Sequence, residues 1–197
     1  MTKAEQTRQF IIEKTAPLFN KKGFAGTSLS DITTATGLTK GSIYGNFKDK
    51  EEVALAVYKH NTAILSKNIE ASIAQHQDPY SRLIAFVDFY RKNWKQIFEN
   101  GGCPIQNAAA ESDDTIPIIK AKVKLTFERW EKNTSQIIQD GIYQEAFKQE
   151  INPEEYASLF IMIIEGGILR SKIVDSPEKL YLALDRVVRI INEEIVR

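Results

Sequence analysis

Apolar positions recur along this chain with the period of helices, and no stretch alternates as a strand ladder does. Between Lys3 and Lys22 the inward stripe is Ile11, Thr15, Leu18 and Phe19, spaced i, i+4, i+7, i+8. Gly23 follows as a left-handed cap, with Phe24 placed to fold back on the last turn. Pro17 lies inside this helix and removes the bond to Glu13, which predicts either a kink or a local break. A second helix is expected from Ser28 to Thr36 with Leu29, Ile32 and Ala35 inward; Gly37 ends it and Leu38 returns to the core. Thr39 then caps a very short helix running to Phe47.

That short helix carries two glycines, Gly41 and Gly45, one turn apart. Each costs about 1 kcal/mol relative to Ala in an element already marginal by its length. At 100° per residue Ile43 and Phe47 point inward with Leu38, which leaves Gly41 and Gly45 on the outer side, flanked by Ser42 and Tyr44. An outward glycine packs nothing, but it lets a backbone approach another surface closely. Short helix, tight glycine turn and short helix together make a helix-turn-helix, whose second member enters the DNA major groove. Thr39, Ser42 and Lys40 would reach bases or phosphates, and Tyr44 would lie at the groove wall. Lys48 and Lys50 add cations where the next helix begins.

Asp49 caps that next helix in a capping-box-like pattern with Glu52, and the helix should run from Lys50 toward Ala74. Pro79 and Pro117 mark two later starts and Gly101-Gly102 one end. Asn152 and Ser176 each precede a proline and open two final helices, about 153–173 and 177–196. The expected fold is all-α, about nine helices, with a helix-turn-helix DNA-binding domain over 1–47 and a larger helical body over 48–197.

Composition narrows the setting. With 197 residues, 43% of them hydrophobic, the chain can bury a substantial core. Its one cysteine, Cys103, forms no internal disulfide and suits a reducing compartment, so a cytoplasmic location is expected. No apolar run approaches the roughly 20 residues of a membrane span. The net charge is zero, yet residues 1–50 carry eight basic against four acidic side chains, a balance of +4, and the remainder carries −4. A basic end on an acidic body orients the molecule toward a polyanion.

The run GFAGTSLSDITTATGLTKGSIYGNFKDKEEV, Gly23 to Val53, resembles the tetracycline-repressor (TetR) family of bacterial regulators. Its glycines, the TKGSIY core and the F-K-D-K-E close stand at the family's spacing, after a helix with Leu18-Phe19 before its cap. The resemblance implies DNA contacts, mostly to phosphates, from a hydroxyl at Thr27 or Ser28 and from Thr39, Lys40, Gly41, Ser42, Tyr44 and Lys50. Gly45 and Asn46 depart from the large aromatic residue and histidine that many members carry, so the operator sequence does not carry over. It further implies a ligand-responsive regulator, a repressor by the family's usual sign, released from a palindromic operator by a small and hydrophobic effector. Dimerisation would use the last two helices, where Tyr156 to Leu169 is apolar nearly all round and the final helix is striped with Leu180, Leu184, Val187, Val188, Ile191 and Ile195. The same two helices would equally serve the core of a monomer.

For the effector, Phe86, Phe89, Tyr90 and Trp94 with Phe127 and Trp130 could line a cavity closed by Met162, though aromatics at helical spacing also make plain core. Cys103, Asn107, Glu111 and Glu165 are the polar candidates beside them. Glu165, set in IMIIEGGIL, needs a partner or a shifted pKa, or bridges across a dimer. Cys103 is either a redox sensor or a packed thiol. With His60, His76 and one Cys no zinc set assembles, and no nucleophile elbow, phosphate loop or dinucleotide fingerprint occurs, so neither catalysis nor a cofactor is expected. The competing reading is a helical ligand-binding dimer that has lost specific DNA binding.

Overall fold

The computed structural model describes the whole chain, Met1 to Arg197. Nine α-helices follow one another: α1 (Lys3–Gly26), α2 (Leu29–Thr36), α3 (Lys40–Asn46), α4 (Lys50–Ile73), α5 (Pro79–Glu99), α6 (Pro104–Ser112), α7 (Pro117–Tyr143), α8 (Pro153–Ile173) and α9 (Glu178–Ile190). A single bridge between Phe147 and Val196 is the one strand-like pairing, and the fold is all-α. The chain packs as two compact units, one of 1–65 with 100–124 and one of 66–99 with 125–197. The first is thus larger than a helix-turn-helix alone, because the first two thirds of α4, all of α6 and the start of α7 pack with it.

In the first unit, Thr2 and Glu5 close a capping box at the start of α1. The helix runs through Pro17 with helical backbone angles, so the local break raised by that proline does not occur. Glu13 and Pro17 both lie on the exposed side, where water can serve the carbonyl that proline leaves without a donor. The real departure is at Gly23, whose φ of 75° and ψ of 178° turn the chain before a last turn ending at Gly26. α2 buries Ile32 and Thr36, while Ala35 is exposed: the inward stripe is i, i+3, i+7 from Leu29 and passes over Ala35. Gly37 supplies the left-handed turn (φ 70°, ψ 8°), and its N–H donates to the Thr33 carbonyl at 2.8 Å. At the start of α4, Asp49 accepts from the Glu52 N–H at 2.9 Å, but the Glu52 carboxylate reaches back to the N–H of Lys48, one residue beyond a true capping box.

In the second unit, α5 buries Leu83, Phe86, Val87, Phe89 and Tyr90 on one face, and α8 and α9 pack closely on each other. A Cβ built at Gly167 would lie 2.7 Å from that of Ala183, so the glycine permits this approach. Asn152 caps α8 by accepting from the N–H groups of Glu154 and Glu155, with Pro153 at the first helical position. The final helix differs from the expected 177–196. Pro177 is its cap rather than its first residue, and regular α-helix stops at Ile190. A π-helical turn, Ile191–Ile195, follows, because the end of the chain is drawn aside: Lys148 N–H donates to the Ile195 carbonyl at 2.9 Å and Phe147 pairs with Val196.

Candidate nucleic-acid interface and effector site

Three anchors set the seven-residue α3 on the first unit. Ile43 and Phe47 are fully or nearly buried beneath it, and the Thr39 hydroxyl accepts from the Ser42 N–H at 3.2 Å at its start. Opposite them the surface is bare: a Cβ at Gly45 would meet nothing within 4 Å, and one at Gly41 only the Thr39 hydroxyl at 3.9 Å. Thr39, Lys40, Gly41, Tyr44 and Gly45 are exposed, and Ser42 and Asn46 half-buried, so the structure brings these candidates together on one outward face. Asn46 donates through Nδ2 to the Ser42 carbonyl at 2.9 Å, which holds its side chain along the helix.

Ion pairs frame this face. Arg8 of α1 donates to the Asn46 carbonyl and to Glu52, and its guanidinium lies 3.9 Å from the centre of the Phe47 ring. Glu52 consequently sits below the ordinary glutamate range, first because it accepts the Lys48 N–H and then because Arg8 hydrogen-bonds it. Lys22 pairs with Asp31 at 2.7 Å and ties the end of α1 to α2. Asp31 is held down to about 2, by the Lys22 hydrogen bond first and by Ser28 next. Nothing in the local sequence pattern announced Arg8, since its partners lie 38 and 44 residues away.

Two of the expected DNA-contact residues are engaged within the protein. Thr27 is fully buried, and its hydroxyl donates to the Gly23 carbonyl at 2.6 Å, because the turn at Gly23 rolls it inward. Lys50 is turned toward the protein: Nζ donates to the carbonyls of Phe24 at 2.8 Å and Thr27 at 3.1 Å and lies 4.2 Å from the centre of the Phe24 ring. Ser28 stays exposed as the cap of α2, its hydroxyl engaged with Asp31.

The expected effector residues divide between the units. In the second, Phe86, Phe89, Tyr90, Phe127 and Trp130 form one aromatic cluster, with ring centres 5.2 to 6.5 Å apart. The indole N–H of Trp130 is buried there without a hydrogen-bond partner. Trp94 pairs instead with Phe98. Glu165 is buried on α8, whereas Met162 is 61% exposed, on the side of the helix it shares by spacing with Gly166, Leu169 and Ile173.

Cys103, Asn107 and Glu111 belong to the first unit. Cys103 is buried at the start of α6. The Asn107 amide donates to the carbonyls of Asn20 and Gly101, and Asn20 in turn donates to those of Asn100 and Gly102. Glu111 accepts from the N–H groups of Phe24 at 2.5 Å and Ala25 at 2.7 Å. A Cβ at Gly23 would lie 2.6 Å from that carboxylate, so a glycine is required there for space as well as for its positive φ. α6 therefore grips the turn that leads into α2.

No helix is long and apolar enough to cross a membrane. Residues 11–57 match the family model described as bacterial regulatory proteins, tetR family, and residues 79–187 match the tetracyclin repressor-like C-terminal domain. A solved TetR-family transcriptional regulator from Cytophaga hutchinsonii is 36% identical with a TM-score of 0.95, covering 100% of this chain and 98% of that one. A TetR transcriptional regulator from Chloroflexus aurantiacus is 32% identical with a TM-score of 0.94, covering 100% and 99%. The HTH-type transcriptional repressor DhaR from Mycobacterium sp. (strain GP1) is 27% identical over 88% of this chain and 86% of its own. These relatives are regulators rather than enzymes. With a bare helix-turn-helix face on an all-α frame and both halves of the chain matched, the protein belongs to the tetR family of bacterial regulatory proteins and is a DNA-binding transcriptional regulator.

Proposed function

We propose that the chain is a cytoplasmic homodimeric repressor that leaves a palindromic operator when a small hydrophobic effector binds. The observation that carries the DNA half is the outer side of α3, where Gly41 and Gly45 leave the backbone uncovered. Thr39, Lys40, Ser42, Tyr44 and Asn46 surround it as the contacting residues, with Ser28 at the neighbouring helix start. Residues 1–47 serve DNA, and 48–197 serve the effector and the second subunit.

Met162, Leu169 and Ile173 on α8 and Leu182 on α9 are 47 to 75% exposed, and Gly166 beside them has open space around its Cβ position. Residues 162, 166, 169 and 173 share one side of α8 by helical spacing, which suits a partner helix. Two subunits joined there would present their α3 helices to half-sites roughly 34 Å apart. The effector belongs in the aromatic cluster of the second unit, where the unpartnered Trp130 N–H would donate to it. Coupling of about 1 to 3 kcal/mol between the two sites changes operator affinity roughly 5- to 150-fold. DhaR is named as a repressor, which supports the sign of regulation.

The test is a gel shift on the DNA flanking the protein's own gene, repeated with hydrophobic effectors. Retardation that an effector releases supports the reading. Retardation that effectors strengthen reverses the sign, and retardation indifferent to effectors and to Trp130→Phe removes the ligand half.

A further inference from the structure

A cavity lies wholly within the first unit, beside the turn between α1 and α2. Its volume is about 50 Å³, room for roughly three to five water-sized groups at about 10–15 Å³ each. Val57, Ile116 and Ile119 give it an apolar wall, and Phe24 and Tyr58 an aromatic one. The remaining wall is polar, with Asn20 from α1, Asn61 from α4 and Asn107, Glu111 and Ser112 from α6. There Ser112 is 1% exposed and its hydroxyl has no hydrogen-bond partner, a state that buried polar groups ordinarily avoid. The preceding residue, Glu111, presents a carboxylate whose charge is met by the Phe24 and Ala25 N–H groups rather than by a cation. Two such bonds leave acceptor capacity on its oxygens. The amide donors that line the cavity already have partners: Asn61 donates to the Ala16 carbonyl and Asn107 to those of Asn20 and Gly101.

Acceptors and negative charge therefore dominate the polar wall, and the missing component is a compact donor with positive charge. We propose that this cavity binds a small primary alkylammonium ion, its head on the Glu111 carboxylate and the Ser112 hydroxyl and its short chain along Val57, Ile116 and Ile119. The aromatic faces of Phe24 and Tyr58 favour the same charge. An anion of that size meets the carboxylate unfavourably, and an alcohol satisfies Ser112 but leaves Glu111 without a cation. The site is separate from the aromatic cluster, and its test does not involve DNA.

Calorimetric titration of the full chain with n-propylammonium chloride at constant ionic strength, against 1-propanol and sodium propionate, reads the site directly. Saturable binding of the ammonium alone is expected. Glu111→Gln should weaken it about tenfold or more. Because that variant also disturbs the α1–α2 turn, two milder ones accompany it. Ser112→Ala removes only the unpartnered hydroxyl and should weaken binding severalfold, and Ala108→Leu should fill the cavity and abolish it, with wild-type circular dichroism in both. No saturable heat with the wild type overturns the proposal, as does wild-type binding by both milder variants. Equal affinity for 1-propanol overturns the ammonium assignment.

Discussion

Arg8 and Glu52 meet at 2.6 Å across the base of the recognition segment, and the same guanidinium donates to the carbonyl of Asn46 at the end of α3. One side chain from α1 thereby secures both α3 and the start of the helix that follows it. The planar fork of arginine is needed for this double engagement and for lying over Phe47, and an ammonium cannot reproduce it.

Arg8→Lys should therefore behave as a loss. A lowered melting temperature corresponding to about 1–2 kcal/mol is expected, since the pair is partly exposed and each contribution is modest. Operator binding should weaken further as α3 loosens. Wild-type melting and affinity in this variant would show that Arg8 does not seat α3.

Gly45→Ala separates stability from function. With helical backbone and open space around the new methyl group, it should stabilise the protein by about 0.5–1 kcal/mol in chemical denaturation. Gly45→Tyr should leave folding intact while shifting operator preference or abolishing binding. If affinity and preference both stay at wild-type values in the tyrosine variant, that face does not meet the groove.

Lys40 and Lys50 should part company in a salt titration of DNA binding. Lys40→Ala removes an exposed cation and should reduce the salt slope by about 1. Lys50→Met should leave the slope unchanged and cost about 1–3 kcal/mol of stability, through the lost bonds to the Phe24 and Thr27 carbonyls. A slope reduced in Lys50→Met would return that residue to the phosphates.

Acid sensitivity should include Asp31. Its carboxyl is held at about 2, below the 3.8 of a free aspartate, so its contribution is complete above pH about 4 and fades as pH falls toward 2. Unfolding midpoints measured from pH 5 to pH 2 should fall less steeply in Asp31→Asn than in the wild type. Identical slopes would mean that the Lys22 and Ser28 contacts do not persist in solution.

Dimerisation through α8 and α9 is checked by sedimentation. Met162→Asp with Leu182→Asp alters two exposed positions, so each chain should keep its helical content while the dimer dissociates. An undisturbed dimer would place the contact elsewhere.

Local pattern was enough for the helix-turn-helix and for the outward aspect of Gly41 and Gly45, because a helix of known phase with two apolar anchors has only one free side. It was insufficient for Thr27 and Lys50. Their orientations follow from the backbone turn at Gly23, where a positive φ with extended ψ redirects the chain in a way residue types alone do not reveal. Ala35 misled because an i+6 position lies off the stripe that Thr36 completes through its hydroxyl bond to the Ile32 carbonyl. The grip of Glu111 on Phe24 and Ala25 spans 87 and 86 residues, and no periodicity reports a contact of that range. Met162 looked inward because α8 is apolar on nearly every side, which hides which side is covered.

The open space above Gly45 separates two properties that most buried positions keep coupled. On the proposed reading, a residue written there would change what the molecule recognises without touching Ile43 or Phe47 beneath, and after gene duplication one codon would begin a new genomic address. The glycine would then be the blank character of that address.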